Sequence, residues 1–146
     1  MTIIKWFFRI LPVFLMGAIW IMSGLPADAI VELPSTSIDR FIKESLHLIE
    51  FAIVYLSLVG AWLTTDRITV RVSLICALLA AAYGLLDEFH QSFMPYRSAT
   101  FIDLVKDWIG VSVSWYVIRE AYFREKRFVW LGKLLKGFQN LFTKTR

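Results

Sequence analysis

The chain has 146 residues, of which 58% are hydrophobic and 19% charged, with a net charge of +4 and one cysteine, Cys76. Ordinary globular chains are ~45–50% apolar and ~25% charged, so this one is too apolar to be disordered and too apolar for a typical soluble domain. One cysteine excludes a disulfide scaffold and a Cys-x-x-Cys zinc motif.

Long runs without charge set the elements in chain order. Arg9 and Asp28 bracket eighteen uncharged residues. Glu50 and Asp66 bracket fifteen, and so do Arg71 and Asp87. Asp107 and Arg119 bracket eleven. A spanning helix needs about 20 residues, so the last three runs span only if charged residues enter the interface or the bilayer. The reading is an all-α membrane protein with four transmembrane helices, at about 6–25, 44–64, 70–93 and 101–121. Residues 1–121 form the transmembrane domain and residues 122–146 a basic cytoplasmic tail. Lys5 and Arg9 before an apolar run, with Ala27-Asp28-Ala29 after it, also have the form of a signal peptide. The run is long for that purpose, and Pro12 and Pro26 suit a retained helix.

The tail is an amphipathic interfacial helix by its spacing: Phe128, Leu131, Leu134, Leu135, Phe138, Leu141 and Phe142 recur with Lys133, Lys136, Gln139 and Asn140 between them. From residue 119 onward eight basic residues face two acidic ones, a charge of +6, which leaves −2 for residues 1–118. Basic residues that follow hydrophobic spans point to anionic lipid. No groove-reading motif accompanies them, so nucleic acid is not an expected partner. The positive-inside rule then puts both termini in the cytoplasm, in a multi-pass protein of the cell membrane.

That topology carries the ionisable residues to one level. His47 and Glu50 stand near the outer end of the second helix. Asp87, Glu88, His90 and Gln91 stand near the outer end of the third, and Asp103, Lys106 and Asp107 near that of the fourth. Arg97 occupies the loop between, and Ser23 ends the first helix, which otherwise reads as scaffold. Charges turned toward lipid cost ~2.5–3.5 kcal/mol each, so they are expected to turn inward and line a small polar cavity open to the outside. Ala80, Gly84 and Gly110 permit close helix approach. The plainer alternative makes His90 and Lys106 interface markers and Arg97 a clamp on Glu88 or Asp103. His47, Glu50, Glu88, Asp103 and Asp107 could ligate a metal by donor type, but they form no known ligand motif, and no metal or cofactor is expected.

The run from Asp87 to Gly110 resembles the signature of the VanZ-like family: Asp87, Glu88 and Gln91, then Pro95 and Arg97, then Asp103, Asp107 and Gly110. Upstream, His47 and Glu50 match a His and a Glu of the family, with Phe51 where the family has Tyr. The resemblance implies a small multi-pass protein of the bacterial envelope, similar to accessory teicoplanin-resistance proteins. Four roles remain open for the polar cluster. It binds or remodels an envelope component, with His47, Glu50, Asp87, Glu88, Gln91, Arg97, Asp103 and Asp107 as binding residues and Arg97 as anion anchor. Or it belongs to a membrane enzyme acting on a lipid-linked or phospholipid substrate, with Glu88, Asp103 and Asp107 as catalytic candidates. Or it serves proton-coupled transport by a dimer, or only pins helices together. The expected partners are membrane lipids, a lipid-linked envelope precursor or lipoglycopeptide, and, as an open option, a second copy of the chain.

Overall fold

The structure, a computed structural model, describes residues 2–26, 36–95 and 100–143; within the second helix the side chains of residues 36–44 and 47 lie outside the description. Among the described residues five α-helices follow in order: α1 Thr2–Ser23, α2 Thr36–Leu63, α3 Val70–Gln91, α4 Phe101–Ile118 and α5 Val129–Thr143. A π-helical segment, Arg119–Arg124, continues α4. Of these, α1 and α3 are each 22 residues long and apolar enough to cross a membrane, and Leu48–Leu63 within α2 is a shorter apolar stretch.

The helix starts have local causes. Thr69 caps α3, its hydroxyl accepting from Val72 N–H at 3.3 Å. Thr100 caps α4 by accepting from Asp103 N–H at 3.2 Å, while its hydroxyl donates to the Asp103 carboxylate at 2.5 Å. Such caps satisfy donors that a helix start leaves without an intrahelical partner. The C-terminal stop is different. Glu125 and Phe128 both take φ 53° in the left-handed region, turning the chain sharply before α5.

Helix α2 sits against all of α1, α3 and α4. Its Phe51, Val54, Tyr55, Val59 and Leu63 are buried, one stripe at helical spacing. They meet Ile19 of α1, Ala77 and Ala80 of α3, and Val111 and Ile118 of α4. The closest approach is at Gly110, where an added Cβ would lie 1.9 Å from the carbonyl oxygen of Leu48. The outward faces are apolar too: Leu78 and Leu79 of α3 and Ile109 and Val113 of α4 are all exposed. Contiguous apolar surface of this kind needs a cover other than water.

The expected boundaries shift in two places. Helix α2 begins about two turns before residue 44, because charge-free runs mark the apolar part of a helix rather than its hydrogen-bonded start. The tail helix is also docked rather than separate. Phe138 packs edge-on against Phe8 with centroids 4.8 Å apart, and Lys5 Nζ donates to the Phe142 carbonyl at 3.2 Å. Gly132 lies so close to the π-helical segment that a Cβ would fall 2.0 Å from the Ala121 carbonyl oxygen. One stripe of α5 therefore packs on protein, while Trp130, Leu134 and Leu141 stay exposed. Its apolar residues serve two faces, which helical spacing alone does not separate.

Candidate functional site

The polar residues gather at the end of the bundle where α1 and α3 finish and α4 starts. Asp87 is only 1% exposed. Its two carboxylate oxygens are held separately: Ser23 Oγ of α1 donates to Oδ1 at 2.6 Å, and Gln91 Nε2 donates to Oδ2 at 2.8 Å. Gln91 reaches Asp87 because they are one turn apart on α3. A buried carboxylate supplied with two donors escapes much of the desolvation cost that an isolated one would bear.

His90 joins this group from the same helix. Its Nδ1 lies 3.4 Å from Ser23 Oγ, and its ring stacks on the Trp20 indole with centroids 4.0 Å apart and 16° between planes. Trp20 and Ser23 are three apart on α1, so they present indole and hydroxyl to the same neighbour. His90 thus stands within the cluster rather than as an isolated marker at the helix end. The order of contacts is not that of a nucleophilic triad, where a histidine sits between serine and acid. Here the acid accepts directly from the serine hydroxyl.

A second acidic group lies on the adjoining face of α3. Asp107 of α4 is 0% exposed and Glu88 of α3 is 7% exposed. Asp107 sits over Gly84, whose added Cβ would come 3.3 Å from Asp107 Cβ and 3.5 Å from the Phe51 ring. Glu88 stands one turn beyond Gly84 on the same face of α3. Phe51, wholly buried, closes this region below, where its ring also neighbours Tyr83 at 6.0 Å. The phenylalanine therefore offers a wall rather than a hydroxyl.

Asp103 has a more local position. Besides its contact with the Thr100 cap, it pairs with Lys106 at 3.0 Å, and both side chains are partly open to solvent. That geometry suits the first turn of α4, where a carboxylate faces the helix N-terminus. Glu50 is half-buried on α2. His47 is described only as backbone within α2, and Arg97 lies outside the described residues, as do Ala27-Asp28-Ala29. Ser92 is exposed and spends its hydroxyl on the Phe89 carbonyl at 2.6 Å. Among the described residues no group of three or more His, Cys, Asp and Glu is arranged to hold a metal ion.

Sequence reading placed Asp87, Gln91 and Ser23 near one end of their helices, and the structure joins them there. It missed the Trp20–His90 stack. The signal available was weak: an aromatic three residues before Ser23, and a histidine three residues after Asp87.

No curated protein and no solved structure matches the chain. The family model for VanZ/LLP1 matches residues 7–124, a stretch that contains α1 to α4 almost whole and the entire polar cluster. The chain, with its Asp87–Gly110 signature inside that stretch, belongs to the VanZ/LLP1 family.

Proposed function

We propose that the chain is a four-span protein of the bacterial cell membrane, with both termini cytoplasmic, whose outward polar cluster binds or remodels an envelope component. The reading is of an accessory factor similar in role to glycopeptide-resistance proteins. The apolar outer faces of α3 and α4 support the membrane placement, and the acids buried between helices are kept off those faces. The basic residues favour the orientation: Arg9 lies beside Thr64 and Thr65 at the end opposite Asp87, and α5 packs at that same end. The observation that carries the binding role is Asp87, buried yet held at both oxygens by Ser23 and Gln91. So fixed a carboxylate, with a stacked imidazole joined to the same serine, is a preorganised polar cluster. Arg97, between α3 and α4 in sequence, is the anion anchor in this proposal.

Survival of a susceptible Gram-positive host in teicoplanin and, separately, vancomycin tests the role. Wild type should protect against teicoplanin, Asp87→Asn should not at equal membrane level, and Gly17→Ala should protect fully because the added methyl meets no atom within 4 Å beyond its own stretch of helix backbone. Absence of protection by wild type rejects the resistance role.

The burial of Glu88 and Asp107 on one side of α3 favours a second reading, a membrane enzyme acting on a lipid-linked or phospholipid substrate. Lipid profiles of membranes with wild type and with Glu88→Gln should then differ by a product, and identical profiles would remove this reading.

A further inference from the structure

A groove of about 320 Å³ opens between α2 and α3 at the end of the bundle opposite the acidic cluster. Its walls are apolar: Leu58, Ala61 and Trp62 come from α2, and Val72, Ile75 and Leu79 from α3. The volume falls at the low end of ligand sites, which span roughly 300–1,000 Å³. Its polar groups are at one end only. Arg9 of α1 lies at the rim, its Nη2 donating to Thr65 Oγ1 at 3.1 Å and its Nε to Thr64 Oγ1 at 3.4 Å. Arg71 continues the Ile75–Leu79 row of α3 toward that end, since residues 71, 75 and 79 repeat every four positions. Among the described residues neither Arg9 nor Arg71 is in an ion pair, and both are exposed.

We propose that this groove is a binding site for an anionic phospholipid of the inner leaflet, with one acyl chain along α2 and α3 and the phosphate on Arg9 and Arg71. The proposal rests on the four-span reading, which makes this end cytoplasmic. An apolar slot with cations at a single end matches a lipid, whose chain and charge are likewise separated. A guanidinium forks onto a phosphate through two N–H donors, and Arg9 is already oriented by two threonine hydroxyls. The cytoplasmic leaflet supplies anionic headgroups at this depth. A soluble anion would find the cations but no use for the slot, and a neutral lipid would find the slot but not the cations.

The test is retention of phosphatidylglycerol against phosphatidylcholine of identical chains, read by native mass spectrometry on the purified full chain in detergent. Wild type should retain phosphatidylglycerol in preference. Arg71→Gln, at an exposed position that should leave folding intact, should cut that preference about fivefold, and Arg9→Gln by a similar factor. Ala61→Trp, which fills the slot, should lower retention of both lipids. Lys133→Gln, an exposed position on α5, should change nothing. Equal retention of the two lipids by wild type overturns the proposal. So does a preference that survives Arg9→Gln/Arg71→Gln together, or displacement of the lipid by inorganic phosphate alone at similar concentration. Alkaline extraction of membranes runs beside these assays. Release of wild type into the supernatant rejects the four-span reading itself, whereas a chain that stays embedded yet shows no lipid preference rejects only the groove.

Discussion

Ser23 and Asp87, sixty-four residues apart in sequence, meet through a 2.6 Å hydrogen bond that joins the last turn of α1 to the last turns of α3. Both side chains are buried, so the contact is made in place of water rather than beside it. It makes α1 part of the polar cluster and not merely its scaffold.

Removing the hydroxyl should therefore expose the dependence. Ser23→Ala leaves the Asp87 Oδ1 without its α1 donor, at an expected cost of about 1–3 kcal/mol. Thermal unfolding in detergent checks it. Ser23→Ala and Asp87→Asn should be non-additive, because each variant alters the same contact. Strictly additive losses would show that the two residues act independently.

The crossing of α2 and α4 should be the least tolerant point of the bundle. Gly110→Ala sets a methyl 1.9 Å from the Leu48 carbonyl oxygen, and a backbone atom cannot step aside as a flexible side chain can. The helices must separate, and Asp107, one turn earlier on α4, moves with them. A loss at or beyond the upper end of the ~1–3 kcal/mol range for overpacking is expected, with low accumulation in membranes. Gly17→Ala is the companion, since its methyl meets nothing within 4 Å beyond its own stretch of helix backbone. It should raise stability by up to about 1 kcal/mol, the helix-propensity difference between the two residues.

Docking of α5 should be separable from the rest of the fold. Gly132→Ala places a methyl 2.0 Å from the Ala121 carbonyl oxygen and should lift α5 from the π-helical segment. Trypsin should then cut faster in the turn that holds Arg124, Lys126 and Arg127, while the main melting transition stays within ~0.5 kcal/mol. Tyr122, whose hydroxyl donates to Gln139 at 2.5 Å, gives an internal reporter. Burial pushes its pKa up, partly offset by Lys136 and Arg67. Because burial is the larger influence, undocking should bring the tyrosine titration back down toward its ordinary range. Its contribution to docking holds below the ordinary tyrosine pKa and fades as pH rises through the folded one. An unchanged titration difference between the chain and its Tyr122→Phe variant would place the docking elsewhere.

Much of this protein was legible in one dimension. Charge-free runs located α1 and α3 within a few residues, since excluding charge from an apolar environment is a local requirement on composition. Helical spacing placed Gln91 beside Asp87, because residues four apart share a face whatever the rest of the chain does. The Asp87–Gly110 signature identified the family from residue types and intervals alone. What spacing could not rank was the acids. Asp103 and Asp107 lie on one stripe of α4, yet Asp103 closes a cap with Thr100 and pairs with Lys106, while Asp107 is sealed over Gly84. Which of the two is buried depends on how near α3 comes, and that distance is set by a glycine on another helix. The same holds for Trp20 on His90 and for the two faces of α5. Sequence determined the helical segments, their polarity and the placing of Asp87 and Gln91 on one helix face. Only the tertiary structure decided the contacts of the polar cluster, because those depend on crossing distances fixed by small residues such as Gly84, Gly110 and Gly132 acting across the bundle.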